Sequence, residues 1–111
     1  MRVDVKRGFP IKVDYNATRS YSGPLWVHWI AVMRYQPVWS MPYGSPQPEC
    51  VANPPMLRGD VAMTVVNGWA HAEIDVSGWP EGPWTTELML HDGNMLLPGE
   101  YTTVCVTVGD N

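Results

Sequence analysis

The chain has 111 residues and a net charge of −4 at pH 7, with 45% hydrophobic but only 16% charged residues. This length predicts a single domain over residues 1–111, and the hydrophobic content excludes a disordered chain despite eleven prolines and ten glycines. The negative charge argues against nucleic acid as a partner, because a phosphate-backbone binder needs a basic surface. No stretch approaches the ~18 apolar residues of a membrane span, so we expect no membrane partner either.

Alternating apolar residues predict strands in the first third of the chain. Segments 3–5 and 9–15 alternate with a period of two, and Gly8 between them is predicted to be a bulge or kink in the opening strand. Segment 25–35 is almost continuously apolar, which predicts a central strand covered on both faces for part of its length. A helix is the alternative there, and the β-branched and aromatic residues disfavour it. One face of this strand holds Leu25, Val27, Trp29, Ala31, Met33 and Tyr35, and the other holds Trp26, His28, Ile30, Val32 and Arg34.

Residues 36–59 form a long stretch that holds six of the eleven prolines. Loops longer than ~12 to 15 residues are uncommon in compact domains and usually have a function. The stretch also contains Trp39, Met41 and Tyr43. We predict that it is a contact arm whose three large side chains bind another protein, because a proline-stiffened segment loses less entropy on docking.

Asn67-Gly68 is the strongest local signal, since it lies between the apolar segments 61–66 and 69–76. This dipeptide predicts a type I′ turn and therefore a β-hairpin. The resulting register places the apolar residues on one face. Its predicted pairs are Val65 with Ala70, Met63 with Ala72, Val61 with Ile74, Thr64 with His71 and Ala62 with Glu73.

Further strands are predicted over residues 84–91 and 101–108, with a tight turn at Asp92-Gly93 between them. Val104, Val106 and Val108 share one face of the last strand. Six or seven short strands without a convincing helix predict an all-β fold, a single immunoglobulin-like antiparallel β-sandwich with a long Pro-rich loop. A partly open barrel is the alternative.

No residue pattern indicates an enzyme or a metalloprotein. The soft metal ligands are His28, His71, His91, Cys50 and Cys105, and none has the close paired spacing of a zinc site. The nucleophile elbow of a hydrolase is also missing from the sequence. We therefore predict no catalytic residues, no metal site and no cofactor.

Two short motifs are interpreted as turns. Arg58-Gly59-Asp60 matches an integrin-binding tripeptide, but here it is predicted to lead into the hairpin. Asp92-Gly93-Asn94 has acidic and amide oxygens, but it lacks the repeated ligands of a calcium loop.

The six tryptophans and five tyrosines are too many for the core of so small a sandwich, so some should lie on the surface. Trp29 is assigned to the core because of its place in the alternation. Besides the three arm residues, the predicted protein-interface candidates are the tryptophans in or beside loops, Trp26, Trp79 and Trp84.

Two segments carry a resemblance, Val5-Lys6-Arg7-Gly8-Phe9-Pro10-Ile11 and Leu97-Pro98-Gly99-Glu100-Tyr101 with the strand after it. They resemble the small Ig-like β-sandwich modules of tailed-bacteriophage virion proteins and are similar to the N-terminal module of upper baseplate proteins. Phe9-Pro10 stands where that pattern has Asp-Thr. The resemblance covers about a third of the chain, implies a structural role and transfers no active-site residues.

The resemblance implies a virion structural protein, assembled in the host cytoplasm, that binds capsid or tail subunits as a decoration, cement or baseplate component. Its partners would be other virion proteins, and a homo-oligomer stays open. One alternative is a carbohydrate-binding module that stacks exposed tryptophans on sugars. Another is a small inhibitor of a host protein, since only Arg58 opposes nine acidic residues after Tyr35. A cupredoxin-like metal protein is the fourth class.

Overall fold

The computed structural model describes residues 1–18, 23–33 and 56–109. This part of the chain contains eight β-strands and no helix. The strands are β1 (Arg2–Asp4), β2 (Ile11–Asn16), β3 (Leu25–Met33), β4 (Met56–Ala62), β5 (Thr64–Val66), β6 (Trp69–Ile74), β7 (Gly82–Asp92) and β8 (Met95–Val108). With no helix described, none of these residues belongs to a helix long and apolar enough to cross a membrane.

The strands form two antiparallel sheets of four strands each. Sheet I has the order β1-β2-β6-β5, and sheet II has the order β4-β3-β7-β8. The two sheets pack face to face around one core, which confirms the predicted all-β sandwich. The strand order is that of the A-B-E-D and C′-C-F-G sheets of immunoglobulin-like sandwiches. Most of the predicted Pro-rich loop lies outside the described residues, but residues 56–59 belong to β4 and not to a loop.

The core is built from the inward positions of both sheets. Sheet II contributes the larger side chains, and three indoles pack in series beneath it: Trp29 stacks on Trp79 with a centroid distance of 5.2 Å, and Trp79 lies 5.4 Å from Trp84. The Trp84 Nε1–H donates to the carbonyl of Pro80 at 2.9 Å, so the polar atom of this buried ring is satisfied. The largest fully buried side chains are Trp84, Ile11, Leu88, Leu90, Val13, Val27 and Thr86.

The β5–β6 hairpin has the predicted turn. Asn67 and Gly68 both have positive φ, 51° and 82°, as a type I′ turn requires, and Val66 pairs with Trp69. Asn67 is the one non-glycine residue with positive φ among the described residues.

The hairpin is shorter than predicted, because the chain changes sheets at Met63. The Met63 N–H donates to the Leu25 carbonyl at 2.9 Å, and Val61 pairs with Val27 of β3. The predicted pairs of Val61 with Ile74, Ala62 with Glu73 and Met63 with Ala72 are therefore wrong. Both sheets bury their inner faces in the same core, so an alternating apolar pattern is satisfied in either sheet.

Two other turns refine the sequence predictions. Gly8 has a φ of +84° in a turn that closes the β1–β2 hairpin, where the Phe9 N–H donates to the Lys6 carbonyl at 3.0 Å. It is not a bulge inside one strand. In the last hairpin Asp92 pairs with Met95, so the two turn residues are 93 and 94.

The last strand begins earlier than predicted. β8 starts at Met95 and continues to Val108, and residues 97–100, which include Pro98, form a bulge opposite the single residue Leu90. Residues 101–108 then pair regularly with β7. Val106 is buried, and Val104 and Val108 pack against the core from the same face, as predicted.

Candidate interaction face

Sheet II has an outer face that is rich in large apolar side chains. Because the inward positions of β3 and β7 are set by buried residues such as Val27 and Leu88, the alternate residues point outward. The strand registers then align these outward residues in rows across the sheet. We define the outer face of sheet II by Met56, Arg58, Asp60 and Ala62 of β4, Trp26, His28, Ile30 and Val32 of β3, Thr85, Glu87, Met89 and His91 of β7, and Leu96, Tyr101, Thr103 and Cys105 of β8.

Aliphatic and aromatic side chains cross this face from edge to edge. Met56 is 51% exposed at the β4 edge, and Tyr101 is 52% exposed at the β8 edge. Between them, Ile30 and Met89 are half-buried in the two central strands. Large apolar side chains therefore lie on the outer positions of all four strands, interspersed with Arg58, Asp60 and Glu87. Exposed apolar side chains that cluster on one face are typical of a site for another macromolecule.

The polar side chains of this face bond to one another. His28 Nδ1 lies 2.5 Å from Asp60 Oδ1 on the neighbouring strand. The Tyr101 hydroxyl donates to Glu87 Oε1 at 2.7 Å, and this hydrogen bond raises the pKa of the Tyr101 phenol above its usual value because the carboxylate holds the phenolic proton. These contacts hold the side chains in place before any partner arrives, which lowers the entropy lost on docking.

Trp26 is held at the end of the face near the β7–β8 turn. Its ring stacks on His91 with a centroid distance of 4.1 Å and an interplanar angle of 13°. Its Nε1–H donates to the Gly93 carbonyl at 2.6 Å. Trp26 therefore presents a fixed, half-buried ring on the outer face of sheet II, where the sequence placed an interface candidate.

Two of the other predicted interface residues, Trp79 and Trp84, are not on this face. Trp84 is fully buried and Trp79 is 8% exposed, so both belong to the core, which corrects the prediction that they contact a partner. Trp84 occupies an inward position of β7, and the turn at 76–79 folds Trp79 over the core through a hydrogen bond from its N–H to the Val76 carbonyl. The arm residues Trp39, Met41 and Tyr43 lie outside the described residues.

Several residues of the face were not singled out from the sequence. The alternation of β3 places Ile30 opposite the core face, but it does not show what lies beside it. Met89, Leu96 and Tyr101 join Ile30 and Trp26 only because β7 pairs with β3, a strand that is distant from it in the chain. The alternation within one strand shows that the strand has a second apolar side. Which residues of other strands lie beside it on the same face depends on how the strands pair.

The tripeptide 58–60 lies within β4 and not in a turn, which corrects the sequence interpretation. Arg58 and Asp60 point outward, while Gly59 faces the core beneath Trp29. A Cβ atom on Gly59 would lie 2.8 Å from Trp29 Cζ2. Packing against the indole therefore explains this glycine.

The outer face of sheet I has a different character. We define it by Arg2 and Asp4 of β1, Lys12, Asp14 and Asn16 of β2, Trp69, His71 and Glu73 of β6, and Thr64 and Val66 of β5. Opposite charges alternate across the strands, as in the row of Asp4, Lys12 and Glu73, and His71 Nδ1 lies 2.5 Å from Asp14 Oδ1. Trp69, which is 44% exposed, is the single tryptophan of this face among the described residues, and Trp26 is the single one of the outer face of sheet II.

Among the described residues, no group of three or more His, Cys, Asp or Glu side chains is placed to hold a metal ion. The described geometry therefore offers a surface for contact and no built metal centre. Comparison of the chain with protein-family models, curated proteins and solved structures finds no match.

Proposed function

We propose that this protein is a binding module without catalytic activity, which docks on another protein subunit through the outer face of sheet II as a structural component of a tailed-phage virion. The observation that carries the proposal is that large apolar side chains, from Met56 to Tyr101, lie at outward positions of all four strands of sheet II.

The chemistry of the face favours a protein partner. Interface centres are enriched in aromatic residues, methionine and arginine and depleted in other charges. The central strands β3 and β7 present Trp26, Ile30 and Met89 there, and the one carboxylate between them, Glu87, already accepts a hydrogen bond from Tyr101. Desolvating this centre costs less than desolvating unpaired charges.

The virion setting rests on the sequence resemblance. The first resembling segment lies in the β1–β2 turn with Gly8, and the second lies in the β8 bulge with Pro98. A particle displays many symmetry-related sites, so a face of modest affinity is sufficient for stable attachment when several copies act together.

The setting is tested by quantitative peptide mass spectrometry on density-purified particles of the phage that encodes the chain, with the major capsid protein as the internal standard. Hundreds of copies per particle indicate a capsid decoration, and a few to tens indicate a tail or baseplate component. Absence from clean particles overturns the virion proposal.

The face is tested with two matched lysine variants, each of which replaces an uncharged β-branched residue at an outward position. Ile30→Lys places a charge at the centre of the outer face of sheet II, whereas Thr64→Lys places one on sheet I. We expect Ile30→Lys to lower incorporation into particles at least about tenfold, which corresponds to a loss of about 1.4 kcal/mol of binding free energy. Thr64→Lys should leave incorporation unchanged. Equal incorporation of folded Ile30→Lys would show that another surface binds the partner.

A further inference from the structure

Trp69 differs from the other tryptophans that the structure describes. Trp26 and Trp29 each stack on another ring, and Trp79 and Trp84 pack in the core. Trp69 is 44% exposed, and within the described part of the chain its ring neither stacks on another ring nor donates a hydrogen bond. The outer face of sheet I therefore presents an indole whose apolar surface and N–H group are both available to a ligand.

Polar side chains lie beside this ring. Asn16 of β2 is directly opposite Trp69, and Asp14 and His71 are paired in the next row of the face. His71 lies two residues from Trp69 along β6, about 7 Å away, so one ligand can contact the ring and the polar pair together. These side chains are already oriented, because His71 Nδ1 lies 2.5 Å from Asp14 Oδ1 and the Thr18 N–H donates to Asn16 Oδ1 at 3.1 Å. Less entropy is then lost when a ligand binds.

The charges of this face nearly cancel. It has two basic side chains and three carboxylates, which are Arg2, Lys12, Asp4, Asp14 and Glu73. The remaining negative charge disfavours a ligand that carries phosphates. A face with five charged side chains is also unlike the centre of a protein interface, which is depleted in lysine, aspartate and glutamate. The ligand that matches this face is uncharged and rich in hydrogen-bonding groups.

We propose that the outer face of sheet I binds a neutral carbohydrate, with a pyranose ring stacked on Trp69 and its hydroxyl groups hydrogen-bonded to Asp14, Asn16 and His71. A pyranose with equatorial substituents has a flat C–H face that packs on an aromatic ring. Its rim of hydroxyl groups donates to carboxylates and accepts from N–H groups. Hydrogen bonds to a carboxylate are stronger than those between neutral groups, which suits a site with a single ring. This function is separate from docking through the outer face of sheet II.

A nuclear magnetic resonance titration of the isotope-labelled chain locates the site without any substitution. The probes are cellotriose and chitotriose, whose linked pyranose rings carry their substituents equatorially. We expect either sugar to shift the Trp69 indole N–H signal and the backbone amides of β6 in a saturable way, and to leave the indole signal of the buried Trp84 in place. Shifts confined to sheet II, or no saturable shift with either sugar, overturn the proposal.

Matched variants test the stacking. Trp69→Ala should raise the dissociation constant of the bound sugar at least about tenfold, because the packing surface is lost, while Trp69→Phe keeps a ring and should bind with intermediate affinity. Phe9→Ala is the control, since Phe9 is 51% exposed in the β1–β2 turn and lies outside both outer faces. It should bind like the wild type. Equal affinity of folded Trp69→Ala and wild type, or an equal loss in Phe9→Ala, overturns the proposed site.

Discussion

The two sheets of this sandwich use their residues differently. Sheet I turns small or branched side chains inward, such as Ala70 and Ala72, and its outer face alternates opposite charges. Sheet II turns Trp84 and Leu88 inward, and it keeps further aliphatic and aromatic side chains on its outer face.

The inner difference is explained by complementary volume. A core close to crystal density must place large residues opposite small ones, and Ala72 of β6 lies in the same core cluster as Trp79 and Trp84. The difference between the two outer faces cannot be explained by packing within one chain, because both outer faces point away from the core. Sheet I also exposes Val66 and Trp69 on its outer face, but the large apolar side chains of sheet II are spread over all four of its strands, and this difference motivates the proposal that a partner docks there.

The largest expected effect concerns the inner face of sheet II. Trp84→Ala should lower the free energy of unfolding by about 3–5 kcal/mol, because it removes a fully buried indole and leaves a cavity. Trp69→Ala, on the outer face of sheet I, is the matched control and should cost less than about 1 kcal/mol, since Trp69 is 44% exposed. Urea denaturation of both variants measures the difference. Similar losses would show that the two sheets do not differ in this way.

A smaller effect is expected where β4 packs on Trp29. Gly59→Ala should destabilise the fold by about 1–3 kcal/mol, because the new Cβ would lie 2.8 Å from an indole that is itself stacked on Trp79. Gly78→Ala is the control, since a Cβ there meets no atom within 4 Å. Thermal unfolding of the pair is the measurement, and equal midpoints would contradict the packing of Trp29 over β4.

The smallest effect is a titration on the outer face of sheet II. The tyrosinate absorbance of Tyr101 is isolated by subtracting the titration of a Tyr101→Phe variant. Its midpoint, the pKa of Tyr101, should lie above 10.0, because Glu87 holds the phenolic proton. Glu87→Gln should move that pKa down toward 10.0. A pKa raised in the folded state adds stability at pH values below the unfolded pKa, and this contribution is lost as the pH rises through the folded pKa. An unchanged titration in Glu87→Gln would show that the hydrogen bond does not form in solution.

Several elements were predictable because their signals are local. The Asn67-Gly68 turn and the buried face of β3 follow from backbone preferences and from a period of two. The core role of Trp29 follows from the same alternation. By contrast, Trp79 and Trp84 were taken for surface residues because they lie beside turns. Trp84 is buried because it shares the inward parity of Leu88 and Leu90 on β7, and Trp79 is buried because the 76–79 turn folds over the core.

The candidate face was only partly predictable. Trp26 was named from the sequence, and Ile30 was placed on the second face of its strand, but Met89 and Tyr101 were not connected to them. The turn between β7 and β8 makes these two strands pair, but the pairing of β3 with β7 joins strands that are distant in the chain, and no local pattern specifies that partner.

The sequence by itself determined that this protein is an all-β chain of short strands and turns, because period-two alternation and turn residues act over a few neighbouring positions. Only the tertiary structure decided which sheet residues 56–62 join and which side chains share the outer face of sheet II. The physical reason is that both sheets bury their inner faces in one core, so the hydrophobic pattern is equally satisfied in either sheet and the long-range register makes the choice.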